Sequence, residues 1–212
     1  MQKLSSLMCA SLLACWASTS PAVPVLDAHY DAPIFFGGSA VIGSFYRAQT
    51  FTVENTGTLT RMEVHVGSPI DGALDFQIWD TAGGLPVPIA GTALGTASLS
   101  WSAGRPQWVA GDFVGGGLAV TAGDVLALVA PGEGVTGVGQ WSFDGDGYAG
   151  GQAFSETAQN TGIWEPLSIN RDFGFRLFVD VQSVPEPSAL VLMGLGVAGV
   201  RRYRARRRFP GT

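Results

Sequence analysis

The chain has 212 residues with 12 basic and 17 acidic side chains, and residues 23–185 hold 16 of the acids but only 5 of the bases, a net charge of −11. An acidic body repels phosphate, so nucleic acid is excluded as a partner. Both cysteines, Cys9 and Cys15, precede residue 23, which leaves the body without a disulfide, a thiolate metal site or a cysteine nucleophile.

Residues 1–22 read as a cleaved signal peptide. Lys3 supplies a minimal positive start, residues 4–16 an apolar stretch, and Ser20-Pro21-Ala22 the small residues a signal peptidase reads. Cleavage after Ala17 is a second reading. Leu12-Leu13-Ala14-Cys15 also has the form of a lipobox, with lipidation at Cys15 as the outcome.

The body follows. Thirty glycines and 12 prolines, set among valines and aromatics, predict short strands joined by turns rather than disorder. Residues 23–44 form an N-terminal segment with few signals; Ile34-Phe35-Phe36 before Gly37-Gly38 is a candidate edge strand. From residue 45 to 182 a β-sandwich domain is expected. Residues 45–53 read as a strand with Arg47, Gln49 and Phe51 on one side. Glu54-Asn55-Thr56-Gly57 is a turn. Residues 59–66 alternate, with Arg61, Glu63 and His65 opposed to Met62, Val64 and Val66. Residues 74–79 place Leu74, Phe76 and Ile78 inward, and 80–88 read as a long turn. Strands are also expected at 92–101, 108–113, 125–129, 139–143 and 173–181, the last with Phe173, Phe175, Leu177 and Val179 in phase. Residues 144–151 form a glycine-rich loop. No amphipathic helix pattern appears between residues 23 and 181. Eight or nine strands with turn punctuation predict an all-β chain, a jelly-roll-like antiparallel β-sandwich.

Asp144-Gly145-Asp146-Gly147 has the start of an acidic Ca²⁺ loop, but the next alternate position is Tyr148 and the nearest later carboxylate is Glu156. A solvated turn is the preferred reading, with no metal and no cofactor. Trp141, Tyr148, Phe154 and Trp164 crowd this part of the chain. Flat rings stack on sugars, and Asp144, Asp146, Gln152 and Asn160 are placed to fix hydroxyls. Trp141, Asp144, Asp146, Tyr148, Gln152 and Trp164 are therefore the candidate ligand residues, for a neutral polysaccharide; inward packing of the two tryptophans is the competing reading. Gly132/Gly134/Gly137 and Gly145/Gly147/Gly150 fit G-x-G-x-x-G, but no helix pattern follows either, and both are turns. The only histidines are His29 and His65, and no nucleophile elbow or H-E-x-x-H appears, so no enzyme is expected.

The tail, 184–208, has three parts in order. Val184-Pro185-Glu186-Pro187-Ser188 is extended and accessible. An apolar run from Ala189 to Val200 can enter a bilayer as a helix, though it is shorter than the roughly 20 residues a full span needs. Arg201, Arg202, Arg204, Arg206, Arg207 and Arg208 hold their end on the cytoplasmic side. This order resembles the PEP-CTERM sorting signal of exported Gram-negative proteins, with Pro185, Glu186 and Pro187 as the sorting motif. The resemblance implies an exosortase and the export machinery as partners, a transient C-terminal membrane-anchor helix, and a destination in the cell envelope, at the surface or in an exopolysaccharide matrix. Residues 45–180 in turn resemble jelly-roll modules of secreted bacterial proteins, similar in outline to carbohydrate-binding sandwiches, which implies the fold and leaves the ligand open.

Overall fold

A computed structural model describes residues 23–32, 39–41, 45–87, 93–137, 139–145, 147–156, 162–167 and 171–181. The signal-peptide segment, Ile34-Phe35-Phe36, Asp146, Asn160, and the whole tail with Pro185, Glu186, Pro187 and the anchor helix lie outside the described residues.

The strands, in chain order, are β1 (Val23–Tyr30), β2 (Ser39–Val41), β3 (Arg47–Thr52), β4 (Gly57–Ser68), β5 (Gly72–Ala82) and β6 (Leu85–Val87). Then come β7 (Gly95–Trp101), β8 (Gly104–Asp112), β9 (Leu118–Val120), β10 (Val125–Ala130) and β11 (Gly139–Trp141). The last are β12 (Phe143–Gly145), β13 (Ala153–Glu156), β14 (Trp164–Pro166), β15 (Arg171–Phe173) and β16 (Phe175–Val181). A single 3₁₀ turn, Val114–Gly116, interrupts the run between β8 and β9.

Every pairing among these strands is antiparallel. In the first sheet β1, β16, β4 and β8 lie side by side; in the second β3, β10, β5 and β7 do. The last strand thus returns between β1 and β4, and β10 returns between β3 and β5. That nesting is the double Greek key of a jelly roll. β13 and β14 widen the second sheet beyond β3, and β12 and β15 form a separate two-stranded ribbon.

Alternation dictates the core. Met62, Val64 and Val66 of β4 face Leu74, Phe76 and Ile78 of β5, Phe51 of β3, Leu126 and Leu128 of β10, and Leu177 and Val179 of β16 in one buried cluster. Leu59 joins them although its parity opposes that of Met62. The β4–β16 register slips between Phe178 and Val179, opposite Arg61 and Leu59. Thr60 is the extra residue of this bulge, which lets Leu59 and Met62 both point inward. Across the interior, Phe51 and Phe175 meet at 6.2 Å.

The strand pattern departs from expectation where alternation is short or absent. Residues 80–88 are not a long turn: β5 runs to Ala82, and Gly83 and Gly84, at φ 62° and 81°, close a two-residue hairpin into β6. Two consecutive positive φ values are the geometry that suits a strand's twist, and glycine adopts them without steric cost. β1 carries no clear signal because its first four residues are exposed and only Asp27 and Ala28 are buried; it is nonetheless paired along β16. The three-residue strands β9, β14 and β15 are too short to show a period.

Candidate functional site

The expected site around residues 144–152 is organised by Asp172, a residue outside that stretch. Its side chain is buried, at 1% exposure, opposite Asp144 in the β12–β15 ribbon. Its Oδ2 accepts the backbone N–H of Gly147 at 3.1 Å and of Tyr148 at 2.9 Å. Its Oδ1 accepts from Gln49 Nε2 at 3.0 Å, and Gln49 Oε1 accepts the N–H of Phe173 at 2.8 Å. A buried carboxylate and a buried amide therefore tie the loop's backbone to β3 and β15. The signal for this was present: Gln49 shares the inward phase of Phe51, and a polar side chain at an inward position requires a buried partner. Among the described residues, no group of three or more His, Cys, Asp or Glu side chains is arranged to hold a metal ion.

The candidate aromatic rings are separated. Trp141 is fully buried between the sheets, stacked on Phe173 at 4.3 Å and edge-on to Phe76 at 5.2 Å. Its indole N–H donates to the carbonyl of Gly174 at 2.8 Å, so neither ring face nor N–H is open to a ligand. Tyr148 is half-buried and edge-on to Phe175 at 5.1 Å. Burial pushes its phenol up to about 12. Trp164 is also buried, but on the opposite side of the second sheet, where it packs with Tyr46, Ala48, Ala127, Val129 and Phe154. Asp144 is half-buried, and Gln152 is exposed. These residues do not form one sugar platform, because β11 and β14 carry Trp141 and Trp164 to different layers.

Two clusters on the outer faces of the sheets take their place. On the second sheet, Trp79 is half-buried and meets Tyr46 at 5.8 Å and Trp164 at 6.1 Å, with its N–H on Gln77 Oε1 at 2.8 Å. Burial, followed by the charges of Glu133 and Glu156, raises the pKa of Tyr46. On the first sheet, register sets His65 of β4 beside Trp108 of β8, their rings 5.0 Å apart. The Arg176 guanidinium lies over Trp108 at 4.0 Å. It also donates to both oxygens of Asp31, at 2.7 and 3.0 Å, and reaches Glu63 at 3.4 Å. That hydrogen bond holds the Asp31 carboxyl below its ordinary range and raises Arg176. His65 is lowered, first by burial and then by Arg176. Glu63 engages Arg61 and Arg176, while His65 packs on Trp108. Beyond these faces lies a shallow depression of about 270 Å³ lined by Gly67, Ser68, Pro69, Gly104, Pro106 and Gln140.

Comparison with known families supplies the firmest functional statement. Residues 183–208 match the family model of the PEP-CTERM protein-sorting motif. The motif marks the chain as an exported, exosortase-sorted protein bound for the cell envelope or surface of a Gram-negative bacterium. It implies membrane association during processing. The match covers the tail alone. No curated protein matches the chain.

Proposed function

We propose that the jelly roll is a non-catalytic structural module, delivered by its sorting tail to the cell surface or its exopolysaccharide matrix. The observation that carries this reading is the sorting motif at residues 183–208, beginning two residues after the last strand. The buried polar groups support it as well. Asp27, Gln49 and Asp172 direct their hydrogen bonds to turn and strand backbone, which is scaffold chemistry. The test replaces Pro185, Glu186 and Pro187 together by Ala in the native host, followed by fractionation. The variant is expected in the inner membrane at full mass, with the surface fraction depleted. Surface delivery equal to the wild type would contradict the reading.

A second reading, binding of neutral polysaccharide, is favoured by one observation. Trp79 and Trp108 are half-buried on the outer faces, where part of an indole remains open. The acidic body makes a neutral polymer the class that meets no repulsion. Stacking on such rings gives weak binding, on the order of 10–1000 μM. Retention of the wild type on a neutral polysaccharide column, lost in both Trp79→Ala and Trp108→Ala, supports it; passage of the wild type through the column unretarded rejects it.

A further inference from the structure

The depression on the first sheet originates in the register of β8. Between the Val66–Gln107 and Ser68–Gly104 pairs, β4 advances two residues and β8 three. The surplus residue lies at Arg105-Pro106, and proline suits a bulge because it has no N–H to give the ladder. Gly67 has no partner on β8 and brings no side chain to fill the gap. The result is the hollow of about 270 Å³ lined by Gly67, Pro106 and Gln140 among others. Gln140 pairs with Gly67 from β11, and its neighbour Trp141 points into the core, so the amide stands on the outer face.

Trp108 lies two residues beyond Pro106 on the same face of β8, about 7 Å along the strand. Its ring is half-buried. Among the described residues, neither its N–H nor the Gln140 amide has a hydrogen-bond partner. The N–H groups of Trp79 and Trp141, by contrast, are taken by Gln77 and Gly174. A half-open indole beside an uncommitted amide, over a floor of glycine and proline, meets the needs of a sugar. Its C–H face wants a flat apolar surface, and its hydroxyls want groups that both donate and accept. The Arg176 guanidinium over Trp108 is held by Asp31 and Glu63, so it offers no unpaired charge to an acidic polymer. A peptide would need apolar pockets for anchoring side chains, which glycine and proline do not build.

We propose that the depression is a sugar subsite adjoining Trp108, in which Gln140 bonds the hydroxyls of one ring of a neutral polysaccharide. Its volume falls just below the roughly 300–1,000 Å³ of small-molecule pockets, a size for a single ring rather than a whole cofactor. This inference rests on the polysaccharide reading above and names its subsite.

Affinity electrophoresis of the surface form, in native gels containing hydroxyethylcellulose, xyloglucan or galactomannan, tests it. The wild type is expected to be retarded by at least one of the three. Gln140→Leu keeps the size of the side chain and removes its hydrogen-bonding groups. It is expected to weaken that retardation about fivefold at an unchanged urea midpoint. Trp108→Phe keeps a ring and removes the N–H. It is expected to weaken retardation about threefold and covers the case in which Gln140→Leu fails to fold. If the wild type runs freely in all three gels, the polysaccharide reading fails and this inference falls with it. If the wild type is retarded and both variants match it, the subsite is wrong while the reading stands. Retardation confined to polygalacturonate gels, and lost in Arg105→Ala, assigns the face to an acidic polymer and overturns the proposal. Competition by a tryptic digest of casein, but not by fragments of the retarding polysaccharide, assigns the depression to peptide and overturns it as well.

Discussion

Val23 stands opposite Val181 in the β1–β16 ladder, so the first and last residues of the sandwich are neighbours. The two ends of the described body therefore lie side by side at one edge of the first sheet. β1 is the edge strand of this arrangement and has few buried side chains, so Asp27 adds to its ladder with β16 the side-chain tie to the β3–β4 turn.

Asp27 accepts the backbone N–H of Asn55 at 2.7 Å and of Glu54 at 3.2 Å, and the Asn55 amide at 3.0 Å. Asp27→Ala leaves these donors at a partly buried turn without their acceptor. It is expected to lower unfolding free energy by about 2 kcal/mol, read from the urea midpoint. An unchanged midpoint would show that β1 is not fastened there.

Asp172 performs the same service for the loop after β12. Asp172→Ala is expected to cost about 3 kcal/mol and to speed hydrogen exchange at the amides of Gly147 and Tyr148. Asp172→Asn is expected to fall between, since one of its two side-chain positions becomes a donor facing the loop's N–H groups. Exchange at those two amides equal to the wild type in both variants would sink the assignment.

The tryptophans separate core from surface. Trp141→Ala empties a fully buried site and is expected to cost about 3–5 kcal/mol. Trp108→Ala removes a half-buried ring from an outer face and loses its contact with Arg176, an expected cost of about 1 kcal/mol. Equal losses in urea melts would mean that the two layers had been confused.

Tyr148 gives a pH dependence. Its phenol is pushed up to about 12 in the folded chain by burial, against 10 for the ordinary group. The neutral form is favoured on folding, so this contribution is complete below pH 10 and is lost as the pH rises from 10 toward 12. The urea midpoint is expected to fall across that window, and less steeply in Tyr148→Phe. Identical slopes would remove Tyr148 as a source.

Where alternation was strong, the fold was readable in advance. β4, β5 and β16 each put the expected residues inward, because one face of each strand meets the core and the other meets solvent or a polar cluster. β3 was harder, since Tyr46 and Ala48 are buried against the outer cluster while Gln49 and Phe51 enter the interior. A strand buried on both faces loses its period. The loop aromatics are less legible for a related reason: nearness in sequence is not nearness in space, and Trp141 and Trp164 occupy different layers. The inward phase of Gln49 calls for a buried partner, but that the partner is Asp172 is fixed only when β15 lies beside β12. The sorting tail was legible because its information is linear, a short motif, an apolar run and a basic end, and needs no tertiary contact.

The central claim is that the sorting motif is read and the tail removed during delivery. Intact-mass measurement of the stable surface form from the native host tests this most directly. The account predicts a polypeptide that contains the whole sandwich, Val23–Val181, and lacks the arginine cluster Arg201, Arg202, Arg204, Arg206, Arg207 and Arg208. Recovery of the surface form with all six arginines still attached would contradict it.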